Sequence, residues 1–188
     1  MKMILRVLAG LVVIVVIFLG LKQLKKGVRE LPGEATPPPQ EIGETFTSTE
    51  NGYSHRIPKD WESKPATPSA AAMIAPKSNG LSSKMVTTIE PYSGTLRAYV
   101  DANIQSFKKR ALKGKIAYTE FTTDSKTPAY KVKLQTGARD VDLAETIYIF
   151  QGSGDKKIIV TCTAPAKFQA QLEPLFDACM KTFALSTS

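Results

Sequence analysis

The sequence predicts an α+β fold, in which an antiparallel sheet of about six strands is flanked by helices and preceded by one N-terminal transmembrane helix. Apolar residues alternate with polar ones in several short segments, which is typical of half-buried strands. They recur at helical spacing in residues 95–113 and 167–185, which predicts two amphipathic helices. Short turns separate several neighbouring strands, so those neighbours should be antiparallel.

The N-terminal residues predict a membrane anchor with a basic flank in residues 1–30. No charged residue occurs between Arg6 and Lys22. Those 15 residues span about 22 Å as a helix, which is shorter than a hydrocarbon core of about 30 Å. Apolar neighbours lengthen the segment, and the flanking cations can reach the headgroups. The alternatives are a cleaved signal peptide, although residues 22–26 (KQLKK) are poor for cleavage, and a buried helix of a soluble protein.

Residues 31–45 predict a stiff linker, because they hold four prolines and show no periodicity. Residues 46–188 are then expected to form the globular domain. In residues 52–57, Tyr53, His55 and Ile57 share one face of a predicted strand, and residues 58–61 turn the chain. Further strands are expected at residues 70–75, 84–90, 115–122, 129–136, 143–151 and 157–163.

One of these strands should be central. Residues 146–150 (TIYIF) are apolar on both faces, which predicts a strand that is covered on both sides. The turn-forming segments 76–80, 137–140 and 152–155 separate the strands.

The first predicted helix begins after Thr95, a good N-cap, and ends before Gly114. Its apolar stripe has one polar interruption and consists of Leu96, Tyr99, Val100, Asn103, Phe107 and Ala111. The closing helix carries an apolar face with Phe168, Leu172, Leu175, Phe176, Cys179 and Phe183. Pro174 lies within this segment, so we expect a short turn and then the main helix, with Pro174 near its first position.

The charge distribution argues against a nucleic-acid partner. The 25 basic and 17 acidic residues give a net charge of +8. Both halves of the chain share the excess, with six basic and three acidic residues before Glu44, and a nucleic-acid binder would usually concentrate it. The densest run contains Lys108, Lys109, Arg110, Lys113 and Lys115. Cations are favoured at a helix C-terminus by the helix dipole, and the functional alternative is a patch for anionic lipid or an acidic partner.

The sequence predicts no catalytic residue, no metal site and no cofactor. His55 is the only histidine, and no cysteine, second histidine or paired carboxylate accompanies it at a metal-binding or catalytic spacing. We therefore interpret His55 as a histidine at the edge of the core with one hydrogen bond, and Trp61 as a packing anchor. No phosphate-binding glycine loop or nucleophile elbow is present.

The two cysteines, Cys162 and Cys179, should point into the same core from a strand and from the closing helix. Cys162 on the strand and Cys179 on the helix lie at similar distances from the turn that joins the two elements, so a disulfide is geometrically reasonable. Two buried thiols are the alternative. A disulfide would indicate an oxidising compartment.

Two groups of residues carry a resemblance to known proteins. They are Gly52-Tyr53-Ser54 with Pro58 and Trp61, and residues 158–164 (IIVTCTA) followed by Phe168, Pro174, Phe176 and Thr182-Phe183. Both groups resemble the PsbP-like superfamily, which includes the photosystem II protein PsbP, the Ran-binding Mog proteins and bacterial envelope proteins of the DcrB type. The resemblance implies an antiparallel sheet flanked by helices, an αβα sandwich. It does not imply photosystem II.

Two observations predict opposite locations of the C-terminal domain relative to the membrane. Lys2 and Arg6 precede the apolar segment and four cations follow it, so the charge count slightly favours a cytoplasmic domain. The resemblance implies an envelope protein, and we predict a single-pass protein of the bacterial inner membrane with an extracytoplasmic C-terminal domain. The leading function is a membrane-tethered, non-enzymatic domain that binds or assists a protein partner or complex. The alternatives are a small hydrolase or ligand-binding enzyme using His55, and a basic-patch binder of anionic lipid.

Overall fold

The computed structural model describes residues 41–67, 70–76, 82–112, 115–138 and 141–186. These residues form two antiparallel sheets and two α-helices. The strands are β1 (Ile42–Ser48), β2 (Tyr53–Pro58), β3 (Glu62–Thr67), β4 (Ala70–Ile74), β5 (Lys84–Pro91), β6 (Ile116–Thr122), β7 (Pro128–Ala138), β8 (Val141–Gln151), β9 (Lys156–Pro165) and β10 (Ala184–Leu185); the helices are α1 (Leu96–Arg110) and α2 (Gln169–Lys181). A 3₁₀ turn, Ala166–Phe168, leads into α2.

The larger sheet has seven strands in the order β3-β4-β5-β9-β8-β7-β6, and the smaller sheet has three in the order β1-β2-β10. In β8 every residue from 144 to 150 is buried, which confirms that this strand is covered on both faces. Because its side chains alternate between the faces, each face of the large sheet must bear a layer that excludes water.

Helix α1 covers one face of the large sheet. Thr95 is its N-cap, since the Thr95 side chain accepts a hydrogen bond from the Ala98 N–H at 3.1 Å. Tyr99 and Val100 are buried in one cluster with strand residues Val132, Leu134, Ile147, Ile149 and Ile159. The apolar stripe that the sequence predicts is therefore the face by which α1 packs on the sheet.

Helix α2 covers the opposite face. Its contacts to the sheet include Lys131 and Tyr148, which alternate along their strands with the α1-facing Val132 and Ile147. Leu172, Leu175, Phe176, Cys179 and Met180 are the buried residues of this helix. The α+β class is therefore confirmed, with one helix on each side of the large sheet.

The two sheets are joined by stacked aromatic rings. Phe183, just after α2, stacks on Phe150 of the large sheet with ring centroids 3.8 Å apart. On its other side it stacks on Tyr53 of the small sheet at 5.7 Å. The side chains of Phe183, Phe150 and Tyr53 are all almost completely buried. Phe183 therefore packs against both sheets.

Several sequence-based expectations about the strands are wrong. A single sheet of about six strands was expected, but residues 52–57 belong to a second sheet, and β1, β3 and β10 were missed. These three strands lie at sheet edges, where one side of the strand is unpaired and the apolar alternation is weak. Strand β1 begins at Ile42, within the residues 31–45 that the sequence predicts as a linker.

Both helices differ from the predicted ones in detail. Helix α1 ends at Arg110 rather than at residue 113, because the chain becomes extended at Ala111, which is buried against the sheet. Gly114, the expected stop, lies outside the described residues. Pro174 is in the middle of α2, not near its start. Pro174 has no backbone N–H, so the Ala170 carbonyl receives no helical hydrogen bond from it. Ala170 and Pro174 are both exposed, so this carbonyl lies on the solvent side of the helix.

Replacing Phe183 with alanine should destabilise the domain by about 3–5 kcal/mol, because it removes a fully buried ring that both sheets share. The free energy of unfolding can be measured by urea denaturation of the purified full-length chain. Leu185→Ala is the control, since Leu185 is 37% exposed and its loss should change stability by only about 0.5 kcal/mol. Equal effects of the two substitutions would show that Phe183 does not join the sheets.

Candidate functional site

His55 lies inside the small sheet rather than in a cleft. The alternation of β2 buries Tyr53, His55 and Ile57 while Arg56 stays exposed, as the sequence predicts. The imidazole is 1% exposed and stacks on Tyr53 with ring centroids 6.1 Å apart and an interplanar angle of 8°. Phe46 of β1 packs on both rings.

The protonation of His55 follows from its one hydrogen bond. Nδ1 lies 3.0 Å from the Arg56 carbonyl oxygen. A carbonyl can only accept, so Nδ1 carries the proton and donates it. Burial lowers the pKa of His55 below its ordinary value, so the ring is neutral at physiological pH, although the bond to Arg56 opposes the shift. Nε2 is buried without a hydrogen-bond partner among the described residues.

Trp61 is a packing residue, as the sequence predicts. It is 4% exposed, and its ring meets Phe176 of α2 edge-on with centroids 6.1 Å apart. It also forms part of the wall of a shallow depression with Gly43, Glu44, Lys59 and Asp60. Within the described residues no group accepts a hydrogen bond from its Nε1.

The best-connected polar cluster joins β7 and β8 to α2. Lys131 Nζ donates to Glu173 Oε1 at 2.7 Å and to Asp177 Oδ1 at 2.7 Å. The Tyr148 hydroxyl donates to Asp177 Oδ1 at 2.6 Å, and Lys133 pairs with Glu173 at 3.1 Å. Lys131 and Tyr148 are largely buried. The two α2 carboxylates accept their hydrogen bonds, and without these bonds burial of the two polar groups would cost free energy.

The sequence-based reasoning missed this cluster, although a signal for it was present. Lys131 and Lys133 lie two residues apart and so share a strand face, and Glu173 and Asp177 lie four residues apart on one helix face. Complementary charges at these spacings indicate a sheet and a helix that pack together. The alternation of the lysines with Val132 looks instead like a solvent-facing strand surface. The arrangement fixes the helix on the sheet and leaves no free acid or base.

The two cysteines are brought to the same side of the sheet but are free thiols in the structure. Both are fully buried. Burial raises the pKa of Cys162 well above its ordinary value, and the nearby Cys179 adds to the effect. Burial raises the pKa of Cys179 to about 12. With these raised pKa values, the two thiols are poor nucleophiles in the folded domain. The disulfide alternative stays a prediction.

The basic run is only partly available for binding. Arg110 pairs with Glu145 at 3.1 Å and also lies over the Phe107 ring, so it stabilises the domain. Lys113 lies outside the described residues. Lys108 and Lys109, in the last turn of α1, and Lys115 are exposed. No described carboxylate forms an ion pair with these three lysines.

Among the described residues, no group of three or more His, Cys, Asp or Glu side chains is arranged to hold a metal ion. Neither helix in that part of the chain is long and apolar enough to cross a membrane. The predicted anchor, residues 1–30, and most of the predicted linker lie outside the described residues.

The buried histidine predicts a specific pH dependence of stability. A histidine whose pKa is lower in the folded state must lose a proton to fold, so stability is highest above the unfolded pKa of about 6.5 and falls at lower pH. We expect urea denaturation at pH 7.5 and 5.0 to show a loss of wild-type stability that His55→Phe reduces. If His55 were catalytic instead, His55→Ala would abolish activity and leave the Tm unchanged.

The thiols should react only when the domain opens. Iodoacetamide at pH 8 should label Cys162 and Cys179 far more slowly in the folded protein than in urea, because both are buried and have raised pKa values. Mass spectrometry of the alkylated peptides gives the two rates. Rapid labelling of folded protein would contradict the buried positions, and resistance in urea without a reductant would show a disulfide instead.

Comparison with solved structures identifies the fold. The Ran-binding protein Mog1p of Saccharomyces cerevisiae is 7% identical, covers 77% of this chain and 96% of its own, and has a TM-score of 0.52. LpqN of Mycobacterium tuberculosis, which is involved in cell envelope biogenesis, is 9% identical over 72% of this chain and 83% of its own, with a TM-score of 0.55. A protein from Bacteroides thetaiotaomicron is 11% identical over 78% of this chain, with a TM-score of 0.56, and this chain spans only 49% of its length.

Sequence comparisons add no closer relative: no protein-family model and no curated protein sequence matches the chain. At these identities the structural similarity shows the fold alone. The domain therefore has the PsbP/Mog-like fold that the sequence resemblance implies.

Proposed function

We propose that the protein is a membrane-tethered, non-enzymatic module of the bacterial envelope whose C-terminal domain binds a protein partner. The observation that carries the proposal is the surface formed by Lys108, Lys109 and Lys115, which we call the lysine surface. These lysines are exposed at the end of α1 and just before β6, without a described carboxylate partner. An acidic surface on a partner would complement them.

The side chains with catalytic potential are used for packing, which favours binding over catalysis. His55 is neutral and stacked in the core, and the Lys131 cluster holds α2 on the sheet. Proteins of the same fold include the Ran-binding Mog1p and LpqN, involved in cell envelope biogenesis, and both descriptions are compatible with a binding role in this protein. The tether is residues 1–30, and the extracytoplasmic placement follows the resemblance to envelope proteins.

Photo-crosslinking in intact cells tests the proposal. A photoreactive residue in place of Leu112, which is 39% exposed beside the lysine surface, should give one discrete protein adduct of the full-length chain. Lys108→Glu/Lys109→Glu should reduce that adduct roughly tenfold, because it reverses two charges that face the partner. The matched control is Lys126→Glu/Lys156→Glu, which makes the same charge change at two exposed positions elsewhere, in the β6–β7 turn and at the start of β9, and should leave the adduct intact.

The remaining outcomes separate the alternatives. An adduct that resists both double substitutions would contradict a partner at the lysine surface. Absence of a protein adduct, together with salt-sensitive binding of the purified protein to vesicles of anionic lipid, would favour the lipid binder instead.

A further inference from the structure

The four edge strands of the described sheets differ in how well they are protected against pairing with another strand. In the large sheet, β3 contains Pro65, a register shift between Pro65 and Thr67, and a Lys64–Glu62 ion pair. In the small sheet, β1 has a register shift between Ile42 and Thr45. Strand β10 has only two residues. Prolines, irregular register, charge and short length all discourage edge pairing.

Strand β6 has none of these protections except one charge. Its seven residues pair with β7 without interruption, from Ile116 opposite Leu134 to Thr122 opposite Pro128. Within the described part of the chain no strand pairs with its outer edge. The Thr122 carbonyl already accepts a hydrogen bond from Lys181, which leaves residues 116–121 as the open edge. Side chains on both faces of this segment are exposed, so another strand can approach.

The sequence of β6 is complementary to itself in the antiparallel direction. With Thr119 on a two-fold axis, Tyr118 lies opposite Glu120 of the second strand and Ala117 lies opposite Phe121. A small residue then faces a large one, and threonine faces threonine, which is a favourable cross-strand pair. The pairing works whether the backbone groups of odd or of even residues point outward, because two Thr119 residues facing each other can form a hydrogen-bonded or a non-hydrogen-bonded pair.

Arg97 adds charge complementarity to this edge. Its guanidinium lies 5.4 Å from the Tyr118 ring centroid, and it donates to the Tyr118 hydroxyl at 3.2 Å. In the two-fold arrangement Glu120 of the second strand faces Tyr118 and therefore Arg97. Glu120 is exposed and forms no ion pair with a described cation. Asp101 pairs with the same guanidinium at 2.9 Å and holds it in position. The edge thus presents, twice over, an unpaired carboxylate opposite an Arg97–Asp101 pair that can accept it as a second anionic partner.

We propose that β6 is a self-association edge: two copies of this chain pair antiparallel through β6, with Thr119 opposite Thr119, and join their large sheets into one. This inference goes beyond the proposed function, because it uses β6, Arg97 and Glu120 rather than the lysine surface. Only the membrane setting of its test rests on the proposed tether. The paired segment is short, so the affinity should be weak, and tethering both copies to one membrane would raise their effective concentration.

Disulfide trapping of the full-length protein in its membrane tests the geometry. In the proposed dimer the two Thr119 Cα atoms are about 4.5–5.5 Å apart, a separation that a disulfide can bridge. Thr119→Cys should therefore form a covalent dimer under mild copper-phenanthroline oxidation roughly tenfold faster than the control Ser153→Cys, an exposed position on the β8–β9 turn. The native cysteines are buried and should not contribute.

Charge variants then test the predicted partner of Glu120. Adding Glu120→Lys to Thr119→Cys should slow dimer formation roughly tenfold, since it places a lysine opposite Arg97 in both halves of the pair. Adding Arg97→Glu as well should restore the rate by reversing the ion pair. Equal trapping at residues 119 and 153, insensitivity to Glu120→Lys, or capture of a different protein by the cysteine at 119 would each overturn the proposal.

Discussion

The architecture depends on the stack of Phe150, Phe183 and Tyr53 between the two sheets. The small sheet has only three strands, and its β1–β2 hairpin could not be stable alone in water. Phe183 connects this hairpin to the most deeply buried strand of the large sheet. His55 extends the stack by one ring, because it stacks on Tyr53 with ring centroids 6.1 Å apart.

Buried charged residues hold the fold together, whereas several exposed cations form no ion pair with a described residue. Lys131, Glu173 and Asp177 are satisfied by one another at the interface between sheet and helix, where breaking one contact would strand another charge. Arg110 and Glu145 form a similar half-buried pair. Other cations, such as Lys126 and Lys156, are exposed without a described ion pair. The three lysines of the lysine surface share this property and lie close together in the sequence, at the end of α1 and just before β6.

The parts of the fold that could be predicted from the sequence are those with one dominant local signal. Residues 146–150 carry apolar side chains on both faces, and α1 has an apolar stripe with one polar interruption and a threonine cap, so both were identifiable. Strand β10 could not be found, because Ala184 and Leu185 form a strand only by pairing with Ser54 and Tyr53. The same limit applies to the site: Lys131 and Lys133 look solvent-facing until a helix 40 or more residues later supplies their carboxylates.

The pairing of β10 with β2 has a consequence for synthesis of the chain. The Arg56 N–H donates to the Thr182 side chain across 126 residues, and β10 closes the second side of β2 beside this bond. At ribosomal rates of about 5–20 residues per second, the hairpin waits roughly 6–25 s for its last partner. Throughout that interval its aromatic face has no cover. The domain therefore cannot complete its fold piece by piece, because the hairpin is covered only after α2 and Phe183 have been made.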